Sequence, residues 1–147
     1  MLISNQIKAA NFYILVALFL SGCAGSGVKD VSQFMPLIES NEESAVLVVR
    51  QTGFQGSGAL VEVVVDGFVV GDLGNKEIVA HKIPPGDHSV LVRFKGIGGL
   101  GLNKVMKTFS LESGEKAYFQ IGLKTGFLVN TLQLVGVTKD TLLYGGD

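Results

Sequence analysis

Residues 61–70, VEVVVDGFVV, place two valine-rich runs on either side of Asp66-Gly67. Val61, Val63 and Val65 share one face of the first run, and a period of two is typical of a strand with one buried face. An Asp-Gly pair between two such runs favours a two-residue hairpin, because that turn needs positive φ at both central positions. The stretch therefore predicts two antiparallel strands.

Similar runs continue on both sides of this hairpin, from Ser44 onward. Turn signals separate them, among them Pro84-Pro85-Gly86-Asp87 and Glu112–Glu115, and the glycine-rich interval Lys95–Lys104 is predicted to be a loop. About seven or eight runs at this spacing predict an all-β fold, a small antiparallel β-sandwich. The predicted strands are Ala45–Arg50, Leu60–Val65, Phe68–Val70, Glu77–Lys82, His88–Phe94, Val105–Leu111, Lys116–Leu123 and Phe127–Val137.

The alternation within these runs also predicts the core. After the last run, Thr138–Asp147 is expected to add a short edge strand or to end as a frayed tail. The side chains predicted to form the core are Leu47, Val49, Val61, Val63, Val65, Val90, Val92, Phe109, Phe119, Ile121, Leu132 and Leu134.

Composition narrows the class of protein. The chain has 147 residues, which indicates one domain, and a formal net charge of −1. This near-neutral charge lacks the excess of basic residues that is typical of nucleic-acid-binding proteins, and it predicts no polybasic patch for anionic lipid. The single cysteine, Cys23, excludes an intrachain disulfide.

The N-terminus has the three parts of a secretory signal peptide. Met1–Asn11 carries one basic side chain, Lys8; Phe12–Leu20 is apolar; and small residues follow up to Cys23. The apolar run is shorter than the roughly 20 residues that a membrane-spanning helix needs. The alternative is a buried N-terminal helix or strand of a soluble protein. We expect a signal peptide at 1–22, a lipidated N-terminus with a flexible tether at 23–43, and the sandwich domain at 44–147. Within the tether, the apolar residues Phe34, Met35, Leu37 and Ile38 are expected to form a short helical turn or to lie against the sheet, and Pro36 disfavours a long helix.

Leu20-Ser21-Gly22-Cys23 resembles the lipobox of bacterial lipoproteins. The resemblance implies diacylglycerol on the Cys23 thiol, cleavage before Cys23 and usually acylation of the new amino group. Stable anchoring takes more than one acyl chain, and a lipidated Cys23 supplies two or three. Ala24, in place of Asp, implies the periplasmic face of the outer membrane in a Gram-negative cell, whereas a Gram-positive cell would hold the anchor in its cytoplasmic membrane.

Other motifs resemble a family of small bacterial lipoproteins described only as a domain of unknown function, and PEGA-type β-sandwich repeats of envelope proteins. The resemblance covers roughly residues 44–134 and implies a β-sandwich, with no catalytic residue to carry over. The long glycine loop of this chain, Gly96–Gly101, departs from the family's sequence pattern. The motifs are Ala45–Arg50, Gly56, Val65-Asp66-Gly67, Gly71, Leu73, Pro84–His88 and Glu112–Tyr118.

No motif in the chain predicts catalysis. Gly96–Gly101 formally matches GxGxxG, but the next residues favour a strand instead of the helix that a dinucleotide site needs. His81 and His88 could form a zinc site with Asp87 or Glu77, yet their spacing is not that of metal ligands, so ordinary histidines are favoured. No Gly-x-Ser-x-Gly marks a nucleophile. We expect no metal, and no cofactor except the covalent lipid.

The glycine loop contains the candidate partner contacts Ile97, Leu100 and Leu102, because exposed apolar patches mark interaction sites. It could equally fold back over the sandwich. The predicted function is a non-catalytic, lipid-anchored accessory or protein-binding module. It contacts the membrane through its lipid and another envelope protein through its edge strands or the glycine loop, for example by strand addition. An alternative is a carrier of a small apolar or glycan ligand, which needs a cavity; a third class is a hydrolase or metalloenzyme.

Overall fold

A computed structural model describes residues 25–51, 58–95, 104–124 and 131–144. These residues form two four-stranded sheets. Sheet A has the order β4-β1-β7-β8 and sheet B the order β3-β2-β5-β6. This confirms the predicted β-sandwich. The strands are β1 (Ala45–Arg50), β2 (Val61–Val65), β3 (Phe68–Leu73), β4 (Ile78–Lys82), β5 (Gly86–Phe94), β6 (Lys104–Leu111), β7 (Lys116–Lys124) and β8 (Thr131–Gly136).

The hairpin predicted from residues 61–70 is present. Asp66 and Gly67 have φ angles of 49° and 86°, the positive values that this turn requires. Val65 pairs with Phe68 across the turn, and β2 and β3 run antiparallel with a bulge beside Val63. This hairpin starts sheet B, to which β5 and β6 add two further antiparallel strands.

One pair of strands is parallel. β1 lies beside β7, from Ala45↔Lys116 to Arg50↔Ile121, whereas its other neighbour, β4, is antiparallel. All six residues of β1 are buried. A continuous apolar run is typical of a strand that is covered on both faces. The composition of AVLVVR therefore fits the centre of sheet A, although the sequence did not indicate the parallel partner.

The core is divided into two clusters. Eleven of the twelve predicted core residues are buried, and Phe109 is only partly buried, since it lies on the edge strand β6. Val46 and Val48 point between the sheets, whereas Leu47 and Val49 belong to a second cluster on the outer face of sheet A. The cluster between the sheets comprises Val46, Val48, Val61, Val63, Val65, Leu73, Ile83, Val90, Val92, Leu111, Phe119, Ile121, Leu132 and Leu134.

A C-terminal helix, α2 (Lys139–Tyr144), completes the second cluster, so the expected edge strand or frayed tail at Thr138–Asp147 was wrong over the helical residues. The Thr138 hydroxyl accepts a hydrogen bond from the Thr141 amide at 3.3 Å, as an N-cap does. Leu142 is 5% exposed and packs against the sheet. This apolar contact favours a helix where a strand would leave Leu142 in solvent.

The described part of the predicted tether, from Gly25 to Glu43, is folded onto the domain. It contains a 3₁₀ helix (Val31–Phe34) and the short helix α1 (Met35–Glu39), which buries Ile38 in the second cluster. The Asp30 carboxylate caps the first of these by accepting from the Ser32 amide at 2.9 Å. Among the described residues, no helix has the length and apolarity needed to cross a membrane.

Candidate functional site

The sandwich has two distinct ends. The strand register places Arg50, Leu73 and Phe94 together at one end, where the described chain begins at Gly25. We call this the entry end. The turn Asp66-Gly67 and the β6–β7 turn lie at the opposite end, the far end.

A short backbone clamp holds the N-terminal segment at the entry end. The Ser26 amide donates to the Asp72 carbonyl at 2.8 Å, and the Asp72 amide donates to the Ser26 hydroxyl at 2.8 Å. Val28 and Ile78 then form an antiparallel bridge with bonds of 2.9 and 2.7 Å. These contacts fix the chain to β3 and β4 within a few residues of Cys23. We call residues 25–28 with Asp72 and Ile78 the entry clamp.

Two glycines make the entry clamp possible. A Cβ on Gly25 would lie 2.7 Å from the Asp72 carbonyl oxygen, and one on Gly27 would lie 2.4 Å from a methyl carbon of Leu73. Neither approach leaves room for a side chain. Gly25-Ser26-Gly27, which the composition assigned to a flexible linker, is therefore a packing motif in which the backbone meets the sheet directly.

Arg50 lies beneath the clamp and is fully buried. One guanidinium nitrogen donates to the Leu73 carbonyl at 2.8 Å and also to the carbonyl of Ala59. Burial lowers the pKa of Arg50, while the nearby Glu77 carboxylate opposes that shift. Glu77 in turn accepts from the Gly74 amide at 2.8 Å. The buried cation thus joins β1, β3 and the β3–β4 turn at the entry end.

At the far end, His88 links two turns. Its Nδ1 lies 2.7 Å from the Asp66 carboxylate, and its Nε2 lies 2.7 Å from the Pro84 carbonyl. Both partners are acceptors, so both ring nitrogens carry a proton when both bonds are made, which describes the imidazolium. The hydrogen bond to Asp66 is the main cause that raises the pKa of His88. The pKa of Asp66 is lowered, chiefly by the Ser89 amide and then by His88.

This arrangement suits structure better than catalysis. A general base needs a free imidazole nitrogen, and both nitrogens of His88 are engaged. An open surface hollow lies beside the ring, between Asp66, Thr108 and Phe109. Within residues 25–51, 58–95, 104–124 and 131–144, no group of three His, Cys, Asp or Glu side chains is placed to hold a metal ion.

An apolar row crosses the outer face of sheet B. Val69 pairs with Val64, Val64 with Leu91, and Leu91 with Met106, so the four side chains lie side by side. Val69 and Met106 are 56% and 61% exposed. The described helices pack on sheet A instead. We call these four residues the apolar row; because large exposed apolar side chains are unusual when contiguous, the row is a candidate contact surface.

The lipidation site and the partner contacts predicted from the sequence lie outside the described part of the chain. Cys23 precedes Gly25 by two positions, and Ile97, Leu100 and Leu102 fall between Lys95 and Lys104, which both lie at the entry end. The lipidation site and the glycine-loop contacts therefore stay predictions. The sequence analysis did not identify the clamp, Arg50 or the apolar row, and only the Gly-Ser-Gly spacing gave a signal for any of them.

Comparison with known proteins adds little. No known protein family matches the chain, and no match is found among the curated proteins. The chain is similar to an NMR structure of a protein from Eubacterium rectale, with 15% sequence identity and a TM-score of 0.42. The similarity covers 67% of this chain and 92% of that one.

Proposed function

We propose that the protein is a non-catalytic lipoprotein of the bacterial envelope, anchored through lipid on Cys23, that serves as an accessory or protein-binding module. The anchor rests on the lipobox-like Leu20-Ser21-Gly22-Cys23, and the entry clamp bears on how close to the fold that anchor would lie. Ser26 is hydrogen-bonded to β3 only three residues after Cys23. A chain advances at most about 3.6 Å per residue, so the acylated cysteine would lie within about 11 Å of the folded sheet.

The interior supports a binding module over a carrier or an enzyme. The fourteen buried side chains of the inter-sheet cluster interdigitate between the described strands, and a carrier needs that volume for its ligand. The His88–Asp66 pair, which is the arrangement most like a catalytic one, has its polar atoms engaged with each other and with the backbone. What stays exposed is apolar surface on a sheet, which suits contact with a protein.

The apolar row is the surface we assign to the partner. It spans sheet B from β3 to β6 and is flanked by the Arg93–Glu62 ion pair. An apolar strip with a charged border has the anatomy of a protein interface, in which an apolar centre is surrounded by polar residues.

The anchor is tested by the mass of the protein purified from membranes of cells that make the full chain. The expected mature species begins at Cys23 and carries diacylglycerol, and Cys23→Ala abolishes both the added mass and the membrane fractionation. An uncleaved chain, or a mature chain without acyl mass, would refute the proposal.

The partner surface is tested by a photocrosslinking amino acid at Met106, with Val135 as the matched control. Val135 is 50% exposed but lies on β8, in the other sheet. One envelope protein crosslinked from Met106, absent from Val135 and lost when Leu91→Asp is added, supports the assignment. Identical products from the two positions would contradict it.

A further inference from the structure

We infer that the entry end faces the bilayer and contacts anionic lipid headgroups, so that the far end and its turns point away from the membrane. The inference rests on the proposed lipid anchor and adds an orientation and a lipid chemistry to it. It follows from where the chain enters the fold and from how the charges are distributed between the two ends.

The entry clamp limits how far the domain can turn. Ala24 and Gly25 alone separate Cys23 from Ser26, whose amide and hydroxyl are both bonded to Asp72. The Val28–Ile78 bridge follows immediately, so the clamp has two attachment points and not one. A tether of this length, about 11 Å, keeps the entry end near the surface that holds the lipid and excludes an inverted orientation in which only the far end faces it, because β5 alone has nine residues and about 3.3 Å per residue makes it nearly 30 Å long.

Basic side chains are concentrated at the same end. Among the described residues, the exposed lysines there lie at strand ends, in the β3–β4 turn or just after the entry clamp, and they are Lys29, beside Asp30, Lys76, Lys95, Lys104 and Lys124. The buried Arg50 adds a further positive charge. The other carboxylates at this end are Asp72, which pairs with Lys95, and Glu77, which lies near Arg50. The Arg93–Glu62 pair is balanced. The entry end therefore carries a net positive charge.

The far end carries the opposite charge. Its basic side chains in the described chain, besides the His88 imidazolium, are Lys82, which pairs with Glu43, Lys116, and Lys139, whose charge the adjacent Asp140 offsets. Its other carboxylates lie in the turns and at the start of β1, and they are Glu42, Glu43, Asp66, Asp87, Glu112 and Glu115. The whole-chain charge of −1 conceals this separation. An anionic surface attracts the entry end and repels the far end, which is the orientation that the clamp also imposes.

The orientation is tested on the intact acylated protein, reconstituted into vesicles of phosphatidylethanolamine and phosphatidylglycerol that contain a headgroup-linked quencher. Acylation blocks Cys23, so a cysteine introduced at Gly58 or at Ser113 is the only site for a fluorescent label. Gly58 lies before β2 at the entry end, where an added Cβ meets nothing within 4 Å, and Ser113 is exposed in the far-end turn. Stronger quenching at Gly58→Cys is expected; equal quenching, or stronger quenching at Ser113→Cys, overturns the orientation.

The headgroup chemistry is tested by charge reversal in the same vesicles. Each lysine near an anionic surface strengthens binding about fivefold, so Lys76→Glu, Lys104→Glu and Lys124→Glu together should remove the extra quenching that phosphatidylglycerol gives over vesicles of neutral lipid. At a single position, Lys104→Glu should reduce it, whereas Lys107→Glu, an exposed reversal of equal charge farther along β6, is the matched control and should keep it. If the triple variant behaves as the unmodified protein, the headgroup contact is refuted.

The mass of the purified protein distinguishes a failure of the orientation from a failure of the lipid anchor. Acylated protein with equal quenching at both labels refutes the orientation and leaves the lipoprotein intact. Protein without acyl mass refutes the anchor, and the inference fails with it.

Discussion

Replacing His88 with Phe removes the link between the two far-end turns and little else. The Phe ring can keep the aromatic contact with Phe109, whose ring centroid lies 5.7 Å away, so the change isolates the two nitrogen bonds. A hydrogen bond to a charged group contributes about 1.5–3 kcal/mol. The Asp66 side chain is 39% exposed and regains water when released, which places the expected loss near the low end. We expect about 2 kcal/mol at pH 5.5, or roughly 8 °C in Tm for a domain of this size.

The sign of the pH dependence follows from the raised pKa of His88, whose ordinary value is 6.5. A group with a raised folded pKa gives its full stabilisation below the unfolded value and loses it as pH rises through the folded value. The neutral ring has one nitrogen without a proton, which faces an acceptor and can make no bond there. The difference between the unmodified protein and His88→Phe should therefore shrink to under about 1 kcal/mol by pH 9.

Urea unfolding of the mature chain carrying Cys23→Ala, measured at pH 5.5, 7 and 9, checks this expectation. His81→Phe is the control, because His81 is exposed at the end of β4. It should follow the unmodified protein at every pH. If His88→Phe and the unmodified protein instead lose stability in parallel from pH 5.5 to 9, the imidazolium is not the group that couples folding to pH.

Three further substitutions test packing at the entry end and the far-end turn. Arg50→Met should lower the free energy of unfolding in urea by about 3–5 kcal/mol, because the carbonyls of Ala59 and Leu73 and the Glu77 carboxylate lose their cation. Arg93→Met, which breaks an exposed ion pair, should lower it by under about 1 kcal/mol. Gly27→Val should open the entry clamp and accelerate hydrogen exchange of the Ile78 amide, while Gly58→Ala leaves it unchanged; protection of that amide in Gly27→Val would contradict the clamp. Gly114 has a φ of 78°, and an added Cβ would overlap the Asn41 carbonyl oxygen, so Gly114→Ala should lower the free energy of unfolding by at least about 2 kcal/mol. Gly122→Ala, whose Cβ would meet nothing within 4 Å, should leave it unchanged.

The strands were predictable because their signals are local. Alternation in β2 and β7, and the Asp66-Gly67 turn, depend only on neighbouring residues and the pleat. The parallel pairing of β1 with β7 could not be predicted from local signals, since it joins residues about seventy positions apart. A run that is apolar on both faces indicates that a strand is central but not which strand lies beside it.

Only a short helical turn near Phe34–Ile38 was among the expectations, because five and six residues are too few for a 3.6-residue periodicity to be recognised. α2 has six residues, and its signals are an N-capping Thr138, an acidic Asp140 in the first turn and one buried Leu142. Such cues identify a helix start but not its existence over a competing strand. The burial of Arg50 was not predicted either, because an arginine at the end of an apolar strand ordinarily reaches solvent.

The segment after Cys23 shows why composition alone misjudged the site. Gly25, Ser26 and Gly27 have the composition of a flexible linker, yet the apolar residues Val28, Val31, Phe34 and Ile38 follow at intervals of three or four residues. Val31 and Phe34 pack with Ile38 on sheet A, and Val28 bridges to Ile78. A true linker of nineteen residues, from 25 to 43, could extend for some 60 Å. A folded segment holds the domain beside its attachment point, and its first contact, the entry clamp, sets the length of free chain after Cys23. Because the clamp precedes the packing of Phe34 and Ile38, replacing both with Ser should lower the free energy of unfolding but leave the quenching difference between labels at Gly58 and Ser113 unchanged. A smaller difference would show that the clamp hydrogen bonds do not hold without this packing.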